Sequence, residues 1–394
     1  MKTVLVIGAG FLQSFVIAKA KKMGYFTLAV DGDPNAVGFT YADDKAVINI
    51  VDEEACLAYA KEKKINGVLT AATDYGVLTA ARIAHEMNLP GVGYEAAKLV
   101  KNKYRVRKCL FEHHVDDTEQ AYEVNGDTNI AEMSKQLVYP VMVKPCDGSG
   151  SRGTSRVDHA DQLNEACQYA MNGSITHRAE IESFVVGKEY GADTLVVDGI
   201  PHVMGIMKKW MTEPPYYAEL GHAIPCDLEP AVEAKAEECV KKAIKALGIH
   251  SGAVNMDMLI TEDGKVHIVD IGARMGGNMI GPCVVPYGTG IDYMGNIIRT
   301  AVGDPLDWTT HDHGKVATRL MAFQSGVVKK APDVSLLEQK YGVEIYHHMS
   351  VGDDVREYHT NLDGCGYIIA RADTIEAAIS HANAALENIQ AECF

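Results

Sequence analysis

The sequence predicts an α/β protein with an N-terminal, doubly wound parallel sheet, followed by α+β units. Residues 1–90 alternate short apolar runs with helical segments, which is the βαβ pattern of a parallel sheet. Later segments show hairpin signals and short strands instead. At 394 residues, the chain is too long for a single small core and should divide into two or three domains.

The first strand, Thr3–Ile7, runs into Gly8-Ala9-Gly10 and then into a helix at Leu12–Met23. With Asp31 about twenty residues further on, this turn suggests a dinucleotide-binding motif. Gln13 replaces the third glycine of that motif. We therefore interpret the glycines as a tight strand-to-helix turn.

Composition and charge exclude several classes of protein. The chain is 47% hydrophobic and 23% charged, as is typical of soluble globular proteins. Its net charge of −16 argues against a nucleic-acid partner or an anionic membrane surface. No apolar run is long enough to span a bilayer, and the start lacks the charged region of a signal peptide. The nine cysteines are scattered, which fits reduced thiols in a cytoplasmic protein.

A short helical segment near residue 100 is unusually basic for this acidic chain. A basic cluster on one helix is usually a solvated face, but it could also form one arm of a polyphosphate clamp. The six residues are Lys98, Lys101, Lys103, Arg105, Arg107 and Lys108.

A strand that ends at Lys144 leads into a loop of glycines, serines and one arginine at 147–154. Such a loop offers many backbone N–H groups that can surround phosphates. It is not a Walker A loop, because no Lys-Ser/Thr follows its last glycine. A plain surface loop is the alternative. Its glycines and serines are Gly148, Ser149, Gly150, Ser151 and Gly153.

Two acids stand in a predicted hairpin whose strands, Ala253–Ile260 and Val266–Ile271, are joined by an Asp-Gly turn. Asp257 and Asp270 each interrupt an apolar run. Two carboxylates that face each other repel unless a cation lies between them, and Mg²⁺ suits this position. Arg274 and several glycines follow, as expected beside phosphate. An ordinary hairpin with two half-exposed acids is the alternative.

A connection rich in aromatic residues and prolines at 210–217 suggests an ordered lid or a substrate wall. It is followed by His222, a candidate substrate contact or general base. A structural loop histidine is the alternative. After residue 305 the sequence predicts a last unit of short strands closed by a helix at Thr374–Gln390.

Taken in order, these features resemble the ATP-grasp superfamily over about residues 1–300. They are the βαβ segment, the basic helix, the strand ending in lysine with its glycine loop, an E-x-F-V-x-G-x-E segment at 182–189, and the acids followed by G-A-R-x-G-G. That ending is similar to amino-acid ligases of the bacilysin-synthetase type. The resemblance implies an N-terminal Rossmann-like domain at 1–95, an ATP-grasp domain at 96–304 with a flexible small lobe at about 112–186, and a C-terminal α+β domain at 305–394.

The resemblance also implies a role for individual residues. Lys103 and Lys144 match the lysines that hold ATP phosphates, and the 148–153 loop matches the loop that closes over them. Asp257 and Asp270 match magnesium ligands, with Mn²⁺ as an alternative ion, and Arg274 matches the arginine that stabilises an acyl phosphate. The hinge and ribose contacts match Glu182, Ser183, Val185 and Glu189.

This sequence departs from the family pattern at two places. The second metal acid is Asp rather than Glu, and Gly272 stands where a ligating Asn is often found. Asn255 or Asn278 could replace that ligand.

The implied activity is ATP-dependent coupling of a carboxylate to an amine, with amino acids as expected substrates. The alternatives are an enzyme of the biotin-carboxylase or glycinamide-ribonucleotide type, and an inactive nucleotide-binding module. We expect small-molecule partners only, and a homodimer is compatible with the resemblance.

Overall fold

The structure of the protein is a computed structural model that describes residues 1–118, 120–148, 152–214 and 216–394. Its strands, in chain order, are β1 (Thr3–Ile7), β2 (Phe26–Asp31), β3 (Asp44–Val47), β4 (Gly67–Thr70), β5 (Ala121–Val124), β6 (Val141–Pro145), β7 (Ser155–Val157), β8 (Ala179–Ser183), β9 (Lys188–Val197), β10 (Ile200–Met211), β11 (Glu219–Ile224), β12 (Gly252–Ile260), β13 (Val266–Gly272), β14 (Lys315–Leu320), β15 (Gly326–Val327), β16 (Val343–His347), β17 (Asp354–Val355) and β18 (Gly366–Ala372).

The α-helices alternate with these strands in the first part of the chain and cover the sheets in the rest. They are α1 (Phe11–Lys22), α2 (Glu53–Lys63), α3 (Val77–Glu86), α4 (Tyr94–Val100), α5 (Lys103–Glu112), α6 (Ile130–Met133), α7 (Leu163–Asn172), α8 (Pro230–Ala246), α9 (Val285–Thr289), α10 (Tyr293–Val302), α11 (Val334–Tyr341) and α12 (Ile375–Cys393). Among the described residues, no helix has the length and apolar character needed to cross a membrane.

The N-terminal sheet is parallel, as predicted, with strand order β3-β2-β1-β4. The glycine turn after β1 is held by hydrogen bonds within the protein. The Ala9 N–H donates to Asp31 Oδ2 at 2.7 Å, and Gln13 Nε2 donates to the Ala71 carbonyl at 2.5 Å. Because Asp31 accepts from the turn and Gln13 ties it to the end of β4, this geometry agrees with a structural turn rather than a dinucleotide site.

A second, four-stranded sheet has the order β5-β8-β6-β7 and is covered by α7. Alternate residues of β6 and β8 pack into one apolar cluster that includes Val141, Val143, Ala179 and Ile181. The other face of these strands carries Lys144, Glu180 and Glu182, which therefore point to the opposite side of the sheet. This face forms one wall of the site described below.

The largest sheet has eight strands in the order β13-β12-β9-β10-β11-β14-β18-β16. It joins strands from both sides of residue 304, so it is continuous across the predicted boundary between the second and third domains. The domain division itself stays a prediction. The hairpin β12–β13 forms one edge, and α8 packs against β10 and β13.

The hairpin prediction is confirmed, and a register shift between Asp257 and Met258 brings the two acids opposite each other. Asp257 pairs directly with Asp270, so both side chains lie on the same face of the sheet. The turn closes with the Thr261 N–H donating to the Lys265 carbonyl at 3.0 Å, and Gly264 has a φ of +75°, which glycine adopts readily.

Candidate active site

A cavity of about 650 Å³ opens between the three sheets. Its walls come from the end of β4, from the β6–β8 face, from the strands β9–β13 and from the C-terminal segment around Leu362. Pockets of this kind, with apolar walls and a few converging charged groups, are where ligands usually bind.

Lys103 and Lys144 enter the cavity from different elements. Lys103 is the first residue of α5, which Asn102 caps by accepting from the Arg105 N–H. Its ammonium forms an ion pair with Asp270. Lys144 lies on β6, with its Nζ 2.6 Å from Glu182 Oε1 and 3.1 Å from the Val269 carbonyl. Burial acts to lower the pKa of Lys144, but Glu182 and Glu180 outweigh it and raise the pKa.

Glu182 is also held from behind by a buried arginine. Arg107 Nε donates to Glu182 Oε2 at 2.9 Å, its Nη1 donates to Asp116 Oδ2 at 2.7 Å, and its Nη2 donates to the Ile268 carbonyl at 2.5 Å. Because Arg107 belongs to α5, Glu182 to β8 and Ile268 to β13, one side chain fixes three walls of the cavity. Against the effect of burial, Arg107 and Lys144 lower the pKa of Glu182.

Glu180 is the unsatisfied member of this wall. It is fully buried, and neither carboxylate oxygen has a hydrogen-bond partner among the described residues. Its Oε2 lies 3.7 Å from Lys144 Nζ. Burial, reinforced by the charge of Glu182, raises the pKa of Glu180 to about 7. Its charged form is therefore costly in the folded protein.

The facing acids of the hairpin already carry ammonium partners. Asp270 pairs with Lys103, and Asp257 Oδ1 lies 2.7 Å from Lys209 Nζ. Burial, together with the nearby carboxylates of Glu219 and Glu189, raises the pKa of Asp257 to about 7 even though Lys209 acts in the opposite direction. The carboxylates around Asp257 thus outnumber the cations, and the atoms available to bind a metal ion are hard carboxylate oxygens. Both properties fit a divalent cation such as Mg²⁺.

Arg274 is held by the N-terminal part of the chain. Its Nε and Nη2 donate to the two oxygens of Asp74, each at 3.0 Å, which is the bidentate geometry that suits a guanidinium. Gly272 makes this pair fit, because a Cβ at that position would lie 2.9 Å from Arg274 Cζ and 3.1 Å from Asp74 Oδ1. The missing Asn ligand at position 272 is therefore explained by space that Arg274 occupies.

The two asparagines that could replace this ligand both have partners. Asn255 Nδ2 donates to the buried Asp193 at 2.7 Å, and Asn255 Oδ1 accepts from Arg274 Nη1 at 3.2 Å. Asn278 Nδ2 donates to Glu219 Oε2. Each amide thus holds a neighbouring charged group in place.

His222 lies on β11, lines the cavity and is buried. Its Nε2 is 3.9 Å from Glu219 Oε1, and its Nδ1 has no hydrogen-bond partner among the described residues. Burial lowers the pKa of His222 to about 4, although Glu219 acts to raise it. The imidazole is therefore neutral at pH 7.

Most of the residues predicted for the site line this cavity. They are Lys103, Lys144, Gly148, Glu182, Ser183, Val185, Glu189, His222, Asp257, Asp270 and Arg274. Gly153 is not among the lining residues, and it packs against Pro145, where a Cβ would lie 2.7 Å from the Pro145 ring. Ser149, Gly150 and Ser151 lie outside the described residues.

Two of the charged residues described above, Glu180 and Lys209, were not predicted as members of the site. Lys209 has the clearest signal in the sequence, since it is a charge on a strand that Ile206 and Met207 otherwise mark as buried. Arg107 was predicted only as part of a basic cluster, whereas the structure buries it.

Two protein-family models match the chain. An ATP-grasp domain model matches residues 137–282, and a model described as L-amino acid ligase C-terminal domain 2 matches residues 319–393. The overall architecture is the ATP-grasp fold. The chain therefore contains an ATP-grasp domain, followed by an L-amino acid ligase C-terminal domain.

Solved structures support the same fold. The L-amino acid ligase from Bacillus licheniformis superposes with a TM-score of 0.84 at 21% identity, covering 98% of this chain and 97% of that one. The biotin carboxylase domain dimer of the Hydrogenobacter thermophilus 2-oxoglutarate carboxylase, in complex with MgADP, ADP and bicarbonate, has a TM-score of 0.79 at 19% identity, covering 98% and 89%. Human carnosine synthase 1 is 24% identical over 305 residues, which cover 70% of this chain and 37% of that protein.

Proposed function

We propose that this protein uses ATP to activate a substrate carboxylate as an acyl phosphate and then couples it to an amine, releasing ADP and phosphate. The substrates are expected to be amino acids, and both partners are small molecules. The observation that carries the proposal is the meeting of Asp257 and Asp270 with Lys103, Lys144 and Arg274 in one cavity. Cytoplasmic location and a homodimer stay predictions.

The nucleotide would lie between the β6–β8 wall and the hairpin. Lys103, Lys144 and Gly148 would contact its phosphates, while the Ser183–Val185 segment would contact adenine and Glu189 the ribose. The related carboxylase domain was solved in complex with MgADP, which supports nucleotide binding as such. Gly153 packs against Pro145 and would act through its conformation, because its φ is +74°.

Asp257 and Asp270 would hold Mg²⁺, because they face each other and because the positive charge near Asp257 does not neutralise the surrounding carboxylates. When bound there, the ion would neutralise phosphate oxygens. Mn²⁺ would suit the same oxygen donors.

The reaction follows from the charges around the phosphates. A substrate carboxylate oxygen attacks the γ-phosphorus, and the bond from phosphorus to the ADP oxygen breaks. Lys144 and Arg274 offset the negative charge on the transferred group. The amine nitrogen then attacks the carbonyl carbon of the acyl phosphate, the carbon–oxygen bond to phosphate breaks, and the amine loses a proton. His222 is neutral and has an unpartnered ring nitrogen among the described residues, so it can accept that proton.

The test is phosphate release from ATP, measured across a panel of amino-acid pairs with purified protein. Release that depends on both a carboxylate and an amine, with formation of the coupled product by mass spectrometry, supports the proposal. If no amino-acid pair stimulates release but another carboxylic acid does, the amino-acid substrates are wrong while the ligase chemistry stands.

The related carboxylase gives the second candidate function, because its complex contains bicarbonate. Phosphate release that bicarbonate alone stimulates would favour this reading. An inactive nucleotide-binding module is the third, and it would bind nucleotide without releasing phosphate under any of these conditions.

A further inference from the structure

A buried lysine connects the predicted metal ligand to the rest of the cavity. Lys209 Nζ lies 2.7 Å from Asp257 Oδ1, 2.7 Å from Glu219 Oε1 and 3.3 Å from Glu189 Oε2. Only 1% of its side chain is exposed. Its three N–H donors are therefore matched to three carboxylates, one of which is expected to bind the metal ion.

The large sheet leaves space for the contact between Lys209 and Asp257. Lys209 lies on β10 and reaches across β9 to Asp257 on β12. The residue beneath this path is Gly191 on β9, where a Cβ would lie 3.6 Å from Lys209 Cδ and 3.8 Å from Asp257 Oδ1. A side chain larger than alanine at this position would occupy the path of the lysine.

The Asp257 carboxylate cannot interact at full strength with the Lys209 ammonium and with a metal ion at the same time. Three carboxylates and one ammonium leave two negative charges, which one divalent ion would neutralise. An ammonium beside a metal site also repels the incoming ion. We propose that Lys209 is a positioning residue that competes with Mg²⁺ for Asp257, an inference that rests on the proposed function. The lysine would hold this carboxylate in place until the metal–nucleotide complex binds.

A structural and a competing role for Lys209 predict opposite changes in metal binding when the side chain is removed. A lysine with a purely structural role would, when removed, loosen the site and weaken metal binding. A competing lysine would, when removed, leave Asp257 more available and strengthen metal binding. The retained contacts with Glu219 and Glu189 keep Lys209 in the sheet after Asp257 turns to the metal.

The experiment compares Lys209→Met with wild type by isothermal calorimetry of ADP binding at a series of Mg²⁺ concentrations. We expect the half-saturating Mg²⁺ concentration to fall by about threefold to tenfold, since a nearby like charge is removed. Lys208→Met is the matched control, because Lys208 is the next residue on β10 and pairs instead with Asp227 at 2.6 Å outside the cavity. It should leave the Mg²⁺ requirement unchanged. An unchanged or increased requirement in Lys209→Met overturns the proposal.

Two further measurements keep the test decisive if Lys209→Met does not fold. Lys209→Gln removes the charge but keeps a hydrogen-bond donor, and it should shift the Mg²⁺ requirement in the same direction. In wild-type protein with ¹³Cε-labelled lysine, the Lys209 resonance, assigned with the Lys209→Gln or Lys209→Arg variant, should shift when Mg²⁺ and ADP are added; no shift contradicts the proposal. Wild-type protein that binds no ADP at any Mg²⁺ concentration would instead contradict the proposed function. Mn²⁺ binding followed by electron paramagnetic resonance would then test Lys209 alone.

Discussion

Lys144 Nζ lies 2.6 Å from Glu182 Oε1 on the neighbouring strand, and Glu182 in turn accepts from Arg107. The lysine expected to hold phosphate is therefore positioned by an acid whose own position is fixed. This arrangement orients Lys144 before any ligand binds, and preorganised charges of this kind are the strongest contributors to catalysis.

Replacing Lys144 with methionine should reduce kcat/KM for ATP by at least about 100-fold, because a buried cation next to the transferred phosphate is lost. The measurement is steady-state phosphate release. Lys135→Met is the control, since Lys135 is exposed and pairs with the exposed Glu132. Retention of wild-type kinetics in Lys144→Met would show that this lysine does not contact the phosphates.

Gly272→Ala should impair catalysis more than folding. The added Cβ would lie 2.9 Å from Arg274 Cζ, so the guanidinium must move away from Asp74. We expect kcat to fall by about tenfold or more with ATP binding largely retained, as is typical when a transition-state contact is displaced. Gly314→Ala is the control, because none of the described residues lies within 4 Å of its added Cβ. Equal kcat values for the two variants would contradict the assigned role of Arg274.

Glu180→Gln should stabilise the protein at pH 8 but not at pH 4.5. The pKa of Glu180 is raised to about 7 in the fold, so the folded state binds its proton more tightly than the unfolded chain does. That contribution is complete below the unfolded pKa and is lost as the pH rises through about 7. At pH 8 the variant should gain on the order of 2–3 kcal/mol in free energy of unfolding.

Urea denaturation at a series of pH values measures this difference. The exposed Glu165→Gln serves as the control and should show no pH-dependent gain. A gain for Glu180→Gln that is the same at pH 4.5 and pH 8 would mean that the carboxylate is not protonated preferentially in the folded state.

Asp257→Asn and Asp270→Asn should each abolish the Mg²⁺ dependence of nucleotide binding, because an amide is a much weaker ligand for a hard cation. Nucleotide turnover should fall by at least about 100-fold. Asp263→Asn, in the exposed turn of the same hairpin, should leave both properties unchanged. Unaltered turnover in the first two variants would favour a module without metal-dependent catalysis.

The hairpin shows what the sequence could predict. Two apolar strands joined by an Asp-Gly turn are a local signal, so the hairpin and its acids could be predicted. The register shift between Asp257 and Met258 could not, although it brings Asp257 opposite Asp270 instead of Val269. Lys209 could not be assigned in the same way, because its three carboxylate partners come from three different strands. The ion pair between Asp74 and Arg274 likewise joins residues 200 positions apart. The sequence shows at Gly272 only that a ligand is missing, whereas the structure shows that Arg274 occupies the space of a side chain there.

The pairing of Arg274 with Asp74 also limits how far the chain can be divided into independent modules. The Ala72 N–H donates to the Met275 carbonyl at 3.0 Å, so backbone and side chains both join the N-terminal sheet to the glycine-rich segment after β13. A shortened protein that begins after residue 95 would keep every predicted metal and phosphate ligand, yet it would leave the partly buried Arg274 guanidinium without the carboxylate of Asp74. Catalytic competence is in this sense a property of the joined sheets, and the nucleotide-binding segment cannot be excised as a working unit.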